Sequence, residues 1–249
     1  MRHLRTRYHV FARVIPFVLM AGASVSARDG AQVGAHAGSA QPDHLDVGSF
    51  TILREGVRVG REQFSLRQVA SPEGVEFELR AESAIGERRL ATRLETDTAG
   101  SPLRYSAEVR EGTTTVLRLG GQRVRGRFAT LARTDRGEAA REYLLPDGVM
   151  VLEVESVHQA ALLLRHRAGR VDFTVHALAP MENRERDVRV TLDAPADTVV
   201  VAGIRLAAMR WIVDDPGRRR VIWSDANGRI LRATVPALGL DAIRDDVPR

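Results

Sequence analysis

The chain has 249 residues, of which 44% are hydrophobic and 5% aromatic, so a sizeable core would rest on Leu, Val, Ile and Ala. All 37 basic residues are Arg; against 32 acids they give a net charge of +5, and removing the four arginines of residues 1–27, a segment with no acid, leaves +1. That balance lacks the basic excess a nucleic-acid surface requires, and the absence of cysteine excludes disulfides and thiol nucleophiles.

Residues 1–27 have the three parts of a secretory signal: a basic region to Arg13, an apolar run from Val14 to Val25, and small residues up to Ala27. The apolar run falls short of the ~20 residues a spanning helix needs. The expectation is therefore a periplasmic or secreted protein with no membrane anchor after cleavage. Residues 28–47, rich in Ala, Gly, Ser and His, read as a flexible linker. His36 and His44 are taken as solvated rather than as metal ligands.

A single domain is expected over 48–246. Phe50 and Ile52 alternate with Ser49 and Thr51, and Phe64 and Leu66 share one face of the next strand. Val75, Phe77, Leu79 and Ala81 alternate with Glu76, Glu78, Arg80 and Glu82, the mark of a half-buried antiparallel strand. Leu90 to Leu94 and Leu103 to Val109 repeat the pattern. A strand from Thr113 to Leu119 is expected to turn at Gly120-Gly121 and return over Arg123 to Leu131, with Val124 and Phe128 inward. At least seven sequential strands with one apolar face must curl or be covered.

The proposed cover is Ser156 to Arg167, where Val157, Ala160, Ala161 and Leu164 fall at helical spacing. Ser156 would cap its start, and Arg165 to Arg167 favour its carbonyl end. Strands then resume at Val171 to Leu178, Arg186 to Leu192 and Thr198 to Val201. A meander follows over Arg205–Val213, Arg220–Ser224 and Arg229–Val235, joined by Asp215-Pro216-Gly217-Arg218 and Asp225-Ala226-Asn227-Gly228. Pairing through the first turn would bring Trp211 and Trp223 near each other. Asp241 to Arg249 reads as a polar tail.

No nucleophile elbow, His-Glu-x-x-His pair, phosphate loop or dinucleotide fingerprint is present. His158 and His166, eight apart on the expected helix, would lie ~12 Å apart; they read as one partly buried and one capping histidine. Glu153 and Glu155 would share a strand face, but acid/base work needs a pocket that separates their pKa values, and a solvated strand end is the plainer reading. Arg123, Arg125 and Arg127, and the Arg218–Arg220 cluster, read as solvated charge, with an anionic lipid or acidic partner as the functional alternative. Trp211 and Trp223 read as core residues, with an apolar ligand wall as the alternative.

In three stretches the chain resembles a family of exported bacterial proteins of unknown function. These are Phe50 to Glu62; Leu145-Pro146-Asp147-Gly148 continuing through His158–Leu164 to Ala179-Pro180; and Trp211 to Val235 with Asn227-Gly228-Arg229. The pattern departs at Val154-Glu155-Ser156-Val157, where that family carries Asn and aromatic residues. Its members look similar to the lipoprotein carriers of the periplasm. The resemblance implies an all-β, mostly antiparallel half-barrel wrapping an apolar cavity under a short helix.

The expected function is a non-enzymatic binding module for a lipid or other apolar molecule, with no cofactor. Its cavity would be lined by Phe64, Phe77, Leu94, Tyr105 and Phe128, with His158, Trp211 and Trp223 as further contacts. The alternative is an envelope accessory protein with a filled core acting through protein contacts; an enzyme with a dispersed site is the remaining reading.

Overall fold

Period-two alternation along so much of the chain becomes fifteen strands in the computed structural model, which describes residues 43–71 and 74–249. They are β1 Asp43–Arg54, β2 Val57–Ser71, β3 Gly74–Ile85, β4 Arg88–Thr96, β5 Pro102–Glu111, β6 Thr114–Val124, β7 Arg127–Thr134 and β8 Gly137–Leu144. After them come β9 Met150–Val151, the helix α1 Ala160–Arg165, β10 Asp172–Ala179, β11 Arg184–Val201, β12 Ile204–Asp214, β13 Arg220–Ser224, β14 Ile230–Val235 and β15 Leu240–Arg244. The signal segment and His36 lie outside the described residues.

All fifteen strands belong to one open sheet in the order β8-β7-β6-β5-β4-β3-β2-β1-β15-β14-β13-β12-β11-β10-β9. Every pairing is antiparallel except β9 with β10. The first and last strands meet in the middle, with Phe50 opposite Arg244, Ile52 opposite Ala242 and Arg54 opposite Leu240. A sheet of this length curls because strands twist, and irregularities such as those at Ile52/Leu53 and Leu192/Ala194 bend it locally.

The concave side holds two hydrophobic clusters, and α1 enters both. Leu163 and Leu164 pack with Phe50, Phe64 and Trp211, while Leu162 packs with Leu79, Leu94 and Phe128. Ala160 to Leu164 are all buried, so this six-residue helix is a plug rather than an amphipathic cover. It starts later than the sequence predicts because the N–H groups of Val157 and His158 donate to the Glu62 carboxylate, at 3.1 and 2.9 Å. Ser156 is held by the His158 ring, at 2.9 Å, and does not cap.

Side chains connect the two ends of the sheet. Tyr143 of β8 donates to Asn183 Oδ1 at 3.2 Å, and Arg141 donates to the Asn183 carbonyl at 3.2 Å. Asn183, in the left-handed region, terminates a 3-10 turn over Pro180–Glu182 that separates β10 from β11.

Several expectations are corrected. Strand pairing begins at Asp43, inside the expected linker, and His44 is an exposed residue of β1. The expected polar tail contributes β15, and the two expected strands over 186–201 are one, β11. Gly120-Gly121 is not a turn: β6 continues to Val124, and the chain reverses at Arg125 and Gly126, both with positive φ. Arg123 and Arg127 therefore fall on different strands, paired with Asp97 and Glu142.

Gly121 is required by a ring instead. A Cβ there would lie 2.7 Å from Cε1 of the buried Phe128, whereas one at Gly120 would meet nothing within 4 Å. Gly121→Ala is expected to cost about 1–3 kcal/mol by overpacking, and Gly120→Ala to stay within ~0.5 kcal/mol of the parent. Urea midpoints at constant slope measure both. Equal midpoints would remove the Phe128 contact as the reason for glycine.

Candidate functional site

One row of residues that stand opposite one another across the sheet explains where the concave side is left unfilled. Trp211 is opposite Ile222, Ile222 opposite Ala233, Ala233 opposite Ala242, and Ala242 opposite Ile52. The row continues through Gly60 and Ile85 to Arg88. Its middle positions Ala233 and Ala242 carry small side chains that border the unfilled space, whereas Gly60 does not border it. Gly60 admits nothing larger, since a Cβ would fall 2.2 Å from the Ala84 carbonyl. Small residues in mid-row leave a hollow where a Leu or Phe would fill the layer.

That hollow is a cavity of about 380 Å³, open on one side to solvent. Its walls are Ile52, Ile85, Ile222, Ala233, Ala242 and Ala160 of α1, joined by Val154, Val157, Val235, Leu238 and Leu240. A wider and shallower hollow of about 880 Å³ lies along β2–β6, but its arginines are already paired: Arg61 with Asp245, Arg80 and Arg93 with Glu78, and Arg118 with Glu108.

Charge lines this cavity at Arg54, Arg88, Arg218, Arg220, Glu155 and Glu182. Arg88 grips Glu155 with two bonds, at 3.0 and 3.2 Å, and Arg218 donates to Glu182 at 2.7 Å. Arg54 is exposed, and among the described residues it has no ion pair. Arg220 differs in being only 8% exposed. It donates to the Glu153 carbonyl at 3.1 Å, and among the described residues no carboxylate lies within 4 Å of it. Burial pulls its pKa below the ordinary arginine value, against the charge of nearby Asp215. Asp215 is itself taken by Arg186 at 2.6 Å.

Behind this wall the segment before α1 carries one buried acid, Glu153. Glu153 accepts the Met181 N–H on Oε1 at 2.9 Å, while its Oε2 has no partner. Burial is the main reason its pKa rises to about 7. Burial, followed by the charge of Glu153, also pushes the Tyr105 hydroxyl well above its usual value. Glu155, two residues on, is exposed, so the expected carboxylate pair is divided between core and rim.

Ser156, His158 and Glu62 meet in a second buried cluster. A nucleophile–base–acid relay needs the serine on one ring nitrogen and the acid on the other. Here both Ser156 Oγ and Glu62 Oε1 approach His158 Nδ1, at 2.9 and 3.1 Å, and Nε2 has no partner. This geometry anchors the chain leading into α1.

None of the eight residues expected to line a cavity lines this one. Phe64 stacks on Phe50 at 5.0 Å and on His158 at 6.2 Å, deep in the first cluster. Leu94, Tyr105 and Phe128 are packed in the second cluster, and Phe77 lies edge-on to His166 at 5.6 Å. Trp211 is buried and donates to Ser224 at 3.1 Å. Trp223 packs with a third cluster and donates to Asp197 at 3.0 Å. The two indoles are not cross-strand partners: Trp223 stands opposite Arg210, one position from the Trp211–Ile222 pair, and so projects from the other face. Large side chains fill space, and the cavity forms where the row is small.

Among the described residues no helix is long and apolar enough to cross a membrane, and no group of three His, Asp or Glu is placed to hold a metal ion. No family model matches the sequence, and no curated protein matches it. A crystal structure of a DUF1849 protein from Brucella abortus, a β-barrel-like domain of unknown function, is similar at TM-score 0.51 and 14% identity, over 83% of this chain and 95% of that one. A DUF1089 family protein from Pseudomonas aeruginosa matches at TM-score 0.43 and 17% identity, over 71% of this chain and 90% of its own. The likeness to the Brucella abortus structure and the strand order agree on a β-barrel-like fold built from one curved, unclosed sheet.

Proposed function

We propose that this chain is an exported, non-enzymatic binding module for a lipid or other apolar ligand of the cell envelope. The cavity of about 380 Å³, walled by Ile, Val, Leu and Ala from five strands and α1 and rimmed by charge, carries this reading. Its size falls in the range of small-molecule sites, which combine apolar walls with a few polar groups. Export rests on the three-part pattern of residues 1–27.

Ala233 sits mid-row, so Ala233→Phe would fill the hollow. A fluorescent fatty-acid probe is expected to bind the parent and to lose at least tenfold in affinity to the variant, with thermal stability equal or higher. Failure of the parent to take up the probe, together with native mass spectra of envelope-purified protein free of any adduct, would count against a ligand carrier. The reading that would then gain is an accessory protein acting through its sheet edge. It is favoured by β8, which is exposed along almost its whole length and carries Leu144 at 65% exposure.

A further inference from the structure

Resting on the cavity reading above, we infer that the ligand is an amphiphile with an anionic head, a carboxylate or phosphate held by Arg220, with Arg54 as a second arginine of the same cavity lining. Buried charges in proteins are paired, because an isolated ion loses its hydration and gains nothing in return. The other buried arginines obey this rule. Arg244 holds Asp46 and Arg186 holds Asp215, at 2.7 and 2.6 Å. Arg220 lines the cavity with one carbonyl partner and, among the described residues, no carboxylate within 4 Å.

Charge balance at the cavity points the same way. Its four arginines face two glutamates, and both glutamates are engaged, Glu155 by Arg88 and Glu182 by Arg218. Two positive charges remain, on Arg220 and Arg54. Guanidinium offers several donors in a fixed fork suited to carboxylate or phosphate oxygens. Apolar walls beside such a fork match a molecule with an apolar chain and an anionic end.

Calorimetric titration of the signal-processed protein with dodecanoate, dodecan-1-ol and inorganic phosphate tests the inference. Dodecanoate is expected to bind at least tenfold more tightly than the alcohol. Arg220→Gln should bring the acid down to the affinity of the alcohol and leave the alcohol unchanged. Arg54→Gln, at an exposed position that folding does not need, should weaken the acid severalfold, and it keeps the test decisive if the Arg220 variant is unstable. Equal affinities of acid and alcohol for the parent would overturn the anionic head while leaving an apolar cavity. Binding of neither chain would instead overturn the cavity reading. Phosphate as tight as dodecanoate, and lost in Arg220→Gln, would overturn the amphiphile in favour of a free-anion site.

Discussion

Arg244→Met is expected to destabilise the protein by about 3–5 kcal/mol, the range for removing one partner of a buried ion pair. The Arg244 and Asp46 side chains are 1% and 3% exposed. The guanidinium donates to both Asp46 oxygens, at 2.9 and 2.7 Å, and to the Val47 carbonyl at 2.9 Å. It also lies 5.2 Å from the centre of the Phe64 ring. Gly48 leaves it room, since a Cβ there would sit 2.8 Å from its terminal nitrogen. Most of the loss comes from stranding the Asp46 carboxylate in the core, so adding Asp46→Leu to Arg244→Met should recover a large part of it. Urea unfolding of the two single variants and the double one forms the cycle. Additive losses would show that the two side chains act independently.

Stability should also depend on pH through Glu153, on a scale of about 3 kcal/mol. Its pKa is about 7 in the folded protein against an ordinary 4.5. Between those values the folded state keeps a proton that the unfolded chain releases, so stability falls as pH rises from about 4.5 and levels off above about 7. The size follows from ~1.4 kcal/mol per pH unit. Glu153→Gln stays neutral throughout and keeps an oxygen for the Met181 N–H. Relative to the parent, it should gain stability from pH 5 to pH 8. A difference between the two proteins that does not change over that interval, in denaturation at both pH values, would mean that Glu153 is not the titrating group.

The two predictions concern residues that the sequence presents as surface charge, and that shows where its legibility stops. Alternating strands were readable: the meander over 205–235 has the expected turns, and its middle strand coincides with β13, because Pro216-Gly217 and Asn227-Gly228 fix the reversals locally. Glu153 and Arg244 were not, since only partners far along the chain, Met181 and Asp46, make their burial tolerable. β15 went unseen for the same reason, as its sequence Leu-Asp-Ala-Ile-Arg gives little apolar signal. Of the expected cavity residues Phe64 lines the wider hollow and Tyr105 a neighbouring one, whereas the hollow beside α1 is not legible in the sequence because it depends on the register that aligns Ala233 and Ala242 across neighbouring strands. Arg218 and Arg220 were visible as a cluster, but nothing in the order of residues separates the buried member from exposed Arg219.

The pairing of β1 with β15 has a consequence for how the molecule comes into being. Synthesis proceeds from the N-terminus, and β1 appears first of the fifteen strands and β15 last. Until then β1 has β2 on one side and an unsatisfied edge on the other, the kind of edge that recruits foreign strands. Each half can zip by local hairpins, but joining them closes a loop of nearly the whole domain, a slow step. Nascent chains stopped short of β15 are therefore the aggregation-prone species, and the interval before β15 emerges is when a chaperone would be needed most.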